Sequence, residues 1–461
     1  MGQNLVTRGL KRVLGLGQVE VPARGKALDE RALARIRTQL QDCASGAGGE
    51  VSARQRAGRL GETYLGLNEA GRHTVLRLIA TEFGPDPERI AEAHTHYQNA
   101  LGTPEQWEAE AQLWRALRSP RARILTQFHA LPQGTRFLVD LRIDLMRALK
   151  NDPELVSFDR ELEYSLANWF DVGFLELRRI TWQSPAALLE KLMRYEAVHA
   201  IHSWSDLKNR LDSDRRCYGF FHPRMPDEPL IFVEVALTDH LAGNVQTLLD
   251  EHAPVFDATE ADTAIFYSIS NTQPGLRGVS FGNFLLKRVI EDLQRDFPRL
   301  KQFSTLSPLP LLARWVESTP EAWEAAFTSA ERQRIAETSK IPEIADGIRA
   351  LLSTPETLDA RLKRLLQTGL TRLAAHYLLH AKQGSRNRPY DPVARFHLGN
   401  GARVECLNFL ADVSGKGLRQ SFGMMVNYLY DPEAIEENVE GLLKAGKIVA
   451  SSGVRNAAKA R

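Results

Sequence analysis

The chain has 461 residues, 43% of them hydrophobic and 25% charged, with 59 basic and 57 acidic side chains for a formal net charge of +2. That length favours more than one hydrophobic core, and the composition is that of a globular protein, not a disordered or fibrous one. Interleaved charges argue against a nucleic-acid footprint, three widely spaced cysteines (Cys43, Cys217, Cys406) argue against a disulfide framework or zinc ribbon, and no apolar run is long enough to span a bilayer.

The stretch from Met1 to Lys26 is basic, carrying Arg8, Lys11, Arg12, Arg24 and Lys26 against Glu20. It lacks the serine enrichment of a transit segment, so a frayed or docking terminus and a cytoplasmic location are expected in preference to the mitochondrial matrix. Helical spacing follows through Leu33, Ile36 and Leu40, then Leu76, Ile79 and Phe83, then Ile90, Ala93, Tyr97 and Leu101. Thr103-Pro-Glu-Gln106 predicts a capping box opening a helix with Trp107, Ala111 and Trp114. Further helical periods cover Phe137 to Leu149 and Glu154 to Phe170. A helical domain over residues 1–182 is the expectation.

From residue 183 the texture changes to mixed α/β. Cys217 to Phe221 and Pro229 to Leu237 predict strands joined by a turn at Pro223 to Pro226. Thr263 to Ser270 predicts a buried strand, and Gly275, Gly278 and Gly282 follow it. Phe284 to Phe297 then reads as an amphipathic helix, with Leu286, Val289, Ile290 and Leu293 on one face, and Lys301 to Leu306 as the next strand. Amides at a helix start, approached closely through glycines, favour an anionic phosphate, although glycines before a helix are also ordinary turn chemistry. The spacing matches neither a dinucleotide fingerprint nor a P-loop. Residues 320–382 return to helix, Gln383 to Pro392 reads as a polar loop, and Arg395 to Gly401 leads into an extended run over Ala402 to Leu410. Met424 to Tyr430 is a last strand, and Pro432 to Lys444 a terminal helix.

Two side chains sit at structural corners. Ser307 lies between a strand end and Pro308, where a turn-initiating serine is the plain alternative. His397 precedes Gly399-Asn400-Gly401, where a histidine bonded to backbone is the plain alternative. His376 and His380 are at i, i+4 on a helix, but no third ligand accompanies them, and no metal is expected. Gly278-Val-Ser-Phe-Gly282 has the form of a hydrolase elbow, yet Ser280 stands too far from the preceding strand for a nucleophile.

Five stretches in order resemble malonyl-CoA decarboxylase. They are Tyr195 to His199 with Arg215 to Tyr218; Phe266 to Ser270 with Thr272 to Leu276; Gly282 to Leu285 with Lys287 to Val289; Phe303 to Pro308; and Asp391 to Ala394 with Phe396-His397, Asn400 to Ala402 and Asn427-Tyr428. The resemblance implies an α+β protein, with an all-helical N-terminal domain (1–182) used in oligomer contacts and a GNAT-like mixed α/β catalytic domain (183–461) that binds a coenzyme A thioester. It implies that Ser307 and His397 form the catalytic pair. Arg277, Gly278, Val279, Ser280, Phe281, Gly282 and Asn283 would meet the coenzyme A pyrophosphate. Ser268 and Tyr430 match positions near the site. Ser280 stands where relatives often carry Glu. A homotetramer built from dimers is implied; neither nucleic acid, membrane nor organic cofactor is.

The reaction so implied is decarboxylation of malonyl-CoA to acetyl-CoA and carbon dioxide. The thioester is itself the electron sink, so the protein has to orient the carboxylate, stabilise the enolate oxygen and protonate carbon. His397 would donate that proton, helped by histidine's ordinary pKa of about 6.5, with Ser307 as relay. The alternatives are a GNAT-type acyl-CoA N-acyltransferase using the same loop, and a helical scaffold that retains an inactive domain.

Overall fold

The structure is a computed structural model and describes residues 25, 27–46, 49–279, 284–384 and 388–459. It divides into two compact units. One comprises Met1–Glu176, Phe221–Pro229 and Gln273–Ser280; the other comprises Leu177–Phe220, Leu230–Thr272 and Phe281–Arg461.

The first unit is helical because its apolar residues recur at helical spacing and its helices carry start signals. Asp29 accepts the Ala32 N–H at 2.7 Å to open Glu30–Ser45, which buries Ile36, Leu40 and Cys43 and stops at Gly46. Asn68 opens Glu69–Glu82, and Asp86, followed by Pro87, opens Pro87–Ala100. Each such cap contributes about 1 kcal/mol. At the unit's centre lie the helices Gly134–Ala148 and Val156–Trp169, which bury Leu138, Val139, Leu145, Phe158, Leu162 and Leu166.

The expected capping box at Thr103 does not form. The helix begins at Gln106 without a side-chain cap, the Gln106 side chain accepts the Gly102 N–H, and Thr103 donates to the Ala100 carbonyl. Thr103 is tied to the preceding helix end and stands two residues before the capping position, which Glu105 occupies. A true box closes instead at Thr328 and Glu331.

The second unit is built on a mixed sheet. The strands are β1 (Glu176–Ile180), β2 (Arg215–His222), β3 (Met225–Thr238), β4 (Thr263–Asn271), β5 (Gln302–Thr305) and β6 (Ser307–Pro308), of which Glu176 and the β2–β3 turn at Phe221–Pro229 fall in the first unit. Past a small hairpin of β7 (Lys382–Gln383) and β8 (Arg388–Pro389) come β9 (Arg403–Asn408) and β10 (Met425–Tyr430). The order is β1-β2-β3-β4-β5-β10-β6, with β9 on the other edge of β10. β4 runs antiparallel to β3 and parallel to β5, the parallel step being made through the helix Phe284–Asp296. A helical N-terminal region followed by a mixed α/β domain is the expected fold class.

Two register faults interrupt the sheet, one in its interior and one at its β9 edge. β3 and β4 slip at Glu234/Val235, opposite Tyr267, and β9 and β10 slip at Asn427/Tyr428. Such bulges bend a strand and re-aim its side chains, and they recur beside active sites. A further helix, Ser452–Lys459, lies beyond the terminal one expected from sequence. Among the described residues no helix is long and apolar enough to cross a membrane.

Candidate active site

Ser307 owes its position to a break in a strand. The parallel pairing of β4 and β5 ends at Phe266 and Thr305, and the Leu306 N–H turns to the Phe266 carbonyl at 3.0 Å. Beyond it β6 pairs with β10, Ser307 opposite Val426. Side chains fill the ladder positions lost at the break. Thr305 Oγ1 accepts the Tyr428 N–H at 3.2 Å, and Asn427 Nδ2 donates to the Thr305 carbonyl at 2.8 Å and the Ala242 carbonyl at 2.9 Å. Asn408 in turn donates to Asn427 Oδ1 at 2.6 Å. Buried polar groups are held this way because leaving one unpaired costs about 1–3 kcal/mol.

His397 comes from the last turn of the helix Pro392–Gly399. Asp391 caps that helix, accepting the Val393 and Ala394 N–H groups at 2.8 and 3.0 Å and the Tyr377 hydroxyl at 2.8 Å. The residues before His397 were expected to be loop; Asp391-Pro392 supplies the cap and first-position proline that make them helical. Gly401, at φ +84°, turns the chain out of the helix, and a Cβ there would stand 2.5 Å from the Ile435 carbonyl oxygen.

The two side chains meet. Ser307 Oγ lies 3.1 Å from His397 Nε2, and His397 Nδ1 lies 2.8 Å from the Tyr430 hydroxyl. The imidazole stacks on the Tyr428 ring, centroids 4.7 Å apart at 25°. Ser307 donates its one hydrogen to Thr305 Oγ1 at 2.9 Å. Towards His397 its oxygen therefore accepts, Nε2 carries the ring hydrogen, and Nδ1 accepts from Tyr430. Ser307 and His397 are 6% and 3% exposed. Burial pushes the His397 pKa down to about 3, so the ring is neutral over the physiological range, not titrating near neutrality as its ordinary value suggests. Burial likewise drives the Tyr430 phenol well above its usual range, keeping it a donor.

Of the other residues singled out from sequence, Ser268 stands in a separate cluster. Its hydroxyl donates to Glu196 Oε2 at 2.7 Å, and Glu196 Oε1 accepts the Val198 and His199 N–H groups. Arg277, Gly278 and Val279 follow a short 3-10 turn at Pro274–Leu276 in the first unit. Arg277 and Gly278 are exposed, and Val279 is buried. Ser280, Phe281, Gly282 and Asn283 lie outside the described residues. A groove of about 770 Å³ between the helices Phe284–Asp296 and Ile435–Ala445 is lined by Ile290, Ile435, Val439 and Leu443, and includes neither Ser307 nor His397.

Thr305 and Tyr428 were not singled out from sequence as site residues, though both had a readable signal. Each is two residues from a named candidate, Ser307 or Tyr430, and alternation in a strand puts such pairs on one face. Glu196 lies in the quoted Tyr195 to His199 stretch, but nothing local pointed to its serine partners, Ser268 and Ser270, 72 and 74 residues away.

Known proteins resemble this chain throughout. Residues 173–461 match the family model of the malonyl-CoA decarboxylase C-terminal domain, and residues 83–170 that of the N-terminal domain. The goose protein named malonyl-CoA decarboxylase, mitochondrial, is 37% identical, over 97% of this chain and 94% of its own length. The crystal structure of malonyl-CoA decarboxylase from Rhodopseudomonas palustris superposes with a TM-score of 0.81 at 41% identity, covering 92% of this chain and 99% of that one. The crystal structure from Cupriavidus metallidurans gives 0.72 at 44% identity, covering 93% and 100%. The chain belongs to the malonyl-CoA decarboxylase family.

Proposed function

We propose that this chain decarboxylates malonyl-CoA to acetyl-CoA and carbon dioxide, with His397 as the proton source and Ser307 as the relay. The observation that carries this reading is the buried 3.1 Å contact between Ser307 and His397 inside the family-matched region. The bond between the carboxylate carbon and the α-carbon breaks, and its electron pair passes to the thioester oxygen as an enolate. Protonating the α-carbon returns the pair to carbon. Ser307 Oγ occupies the direction in which Nε2 points, so a proton leaving the ring passes through it. The serine hydroxyl turns from Thr305 to the carbon, and Nε2–H refills the oxygen.

A neutral ring cannot give up its only proton cheaply, so one more has to arrive. The substrate supplies the reason. A carboxylate, and then an enolate, beside the imidazole favours the charged ring and opposes the burial that holds it neutral. His397 takes a proton from solvent as the anion settles, delivers it to carbon, and returns to neutral. Each turnover consumes one proton, as the stoichiometry requires. With Ser307 interposed, the cation does not pair directly with the carboxylate, which would stabilise the ground state at the expense of the transition state.

We assign Arg277, Gly278 and Val279 to the coenzyme A pyrophosphate, supported by the exposure of Arg277 and Gly278 and by Gly278 at φ +90°. For assembly we infer a homotetramer, a dimer of dimers, formed through the helical region, where Trp107 and Trp114 are exposed. Carbon dioxide release from malonyl-CoA tests the central reading. Ser307→Ala and His397→Ala should each lower kcat by roughly 10²–10⁴-fold. Wild-type rates from His397→Ala would end it, and acyl transfer to an added amine without carbon dioxide release would favour the transferase alternative.

A further inference from the structure

A buried guanidinium in the helical unit is built into the glycine loop. Arg142, on the helix Gly134–Ala148, is 2% exposed. Its Nη1 donates to the carbonyls of Gly275 at 3.0 Å and Arg277 at 2.7 Å. Its charge is balanced from behind by Asp159 at 3.0 Å on Nε and Glu163 at 3.0 Å on Nη2. The loop is fitted to this helix pair with no room to spare. A Cβ on Gly275 would stand 2.0 Å from the Val139 carbonyl oxygen, and one on Gly278 would stand 2.5 Å from Glu163 Oε1.

Peptide geometry makes this hold directional. The described chain contains no cis peptide, so in each peptide unit the N–H points opposite to the carbonyl. The Leu276 N–H is taken by the Gln273 carbonyl, and the Val279 N–H by the Leu276 carbonyl. With the Arg277 carbonyl fixed on Arg142, the Gly278 N–H is turned away from the guanidinium, at an exposed residue, and has no backbone partner among the described residues. A cation on the carbonyl end of a peptide also strengthens its N–H as a donor.

We propose that Arg142 is a positioning residue for substrate: it sets and polarises the Gly278 amide that receives the coenzyme A pyrophosphate. This rests on the assignment of Arg277 to Val279 to that pyrophosphate. It gives the helical unit a part in substrate recognition beyond assembly.

The test compares malonyl-CoA with malonyl-pantetheine, which has the same reacting end and no pyrophosphate. For Arg142→Lys, kcat/KM on malonyl-CoA should fall roughly 10-fold through KM, with kcat held. Its kcat/KM on malonyl-pantetheine should equal that of wild type, which also certifies the fold. If Arg142→Lys fails to fold, the pair Arg142→Gln with Asp159→Asn removes the cation together with one of its carboxylates and is read in the same way. Equal losses on both substrates, or no loss on malonyl-CoA, overturn the proposal. Arg277→Ala separates it from its premise. If that variant loses discrimination between the substrates and the Arg142 variant does not, the positioning role alone falls. If Arg277→Ala leaves discrimination intact, the pyrophosphate assignment falls and takes the proposal with it.

Discussion

His397 is neutral because the protein surrounds it, and that sets a measurable sign. Its pKa lies near 3, below the ordinary value of about 6.5, so around pH 7.5 the ring carries one proton. A bound anion beside it raises that pKa, so binding takes up protons and apparent affinity falls as pH rises. An unreactive thioether analogue of malonyl-CoA should therefore bind with a heat that varies with the ionisation enthalpy of the buffer, in the sense of uptake. His397→Gln should abolish the variation; a wild-type heat that is the same in phosphate and Tris would exclude the charging step. None of this chemistry was legible from local pattern. Ser307 and His397 are 90 residues apart, each has an ordinary turn or backbone explanation, and only the ordered resemblance joined them. The depressed pKa was illegible for a plainer reason: it comes from the packing around the ring, including the Tyr428 face stacked on it.

The elements show where periodicity sufficed and where it misled. The helix after the glycine loop was expected over Phe284 to Phe297 and runs Phe284–Asp296; the last strand was expected over Met424 to Tyr430 and runs Met425–Tyr430. The helix has one strongly apolar face and the strand is an apolar, aromatic run buried on both faces, which fixes type and extent. The His397 helix has only 8 residues, too few for a period to declare itself between a polar loop and a Gly-Asn-Gly turn. What makes it a helix is its start, and Asp391 there serves two amides and the Tyr377 hydroxyl at once. Asp391→Ala should therefore destabilise the fold by about 2 kcal/mol, seen as a lower midpoint in urea. Its kcat should fall more than its KM rises, because the imidazole loses its alignment on Ser307. An unchanged midpoint would show that the cap is dispensable. The break between β5 and β6 belongs to the same scale: Asn427 and Thr305 replace missing ladder bonds to β10 with side-chain ones, a long-range accommodation that no sequence window contains.

At the scale of the molecule, the helix Gln106–Leu117 leaves Trp107 and Trp114 72% and 61% exposed, with Leu117 at 52%. These exposed aromatics, seven residues apart on one helix, are the surface on which the proposed assembly is tested. Light scattering on wild type should return the mass of a tetramer, and Trp107→Glu with Trp114→Glu should reduce it. A monomeric wild type, or a double variant of unchanged mass, would remove that surface from the assembly.

The two units also interleave along the chain, the first closing with Gln273–Ser280. A ribosome has therefore made roughly three fifths of the polypeptide before Arg142 meets the carbonyls of Gly275 and Arg277. Until then the guanidinium and its carboxylates sit in an incompletely packed bundle. The helical body therefore cannot close as soon as its own helices are made: it waits until β2, β3 and β4 have been synthesised, and a chain stalled before residue 273 leaves Arg142 without its carbonyl partners.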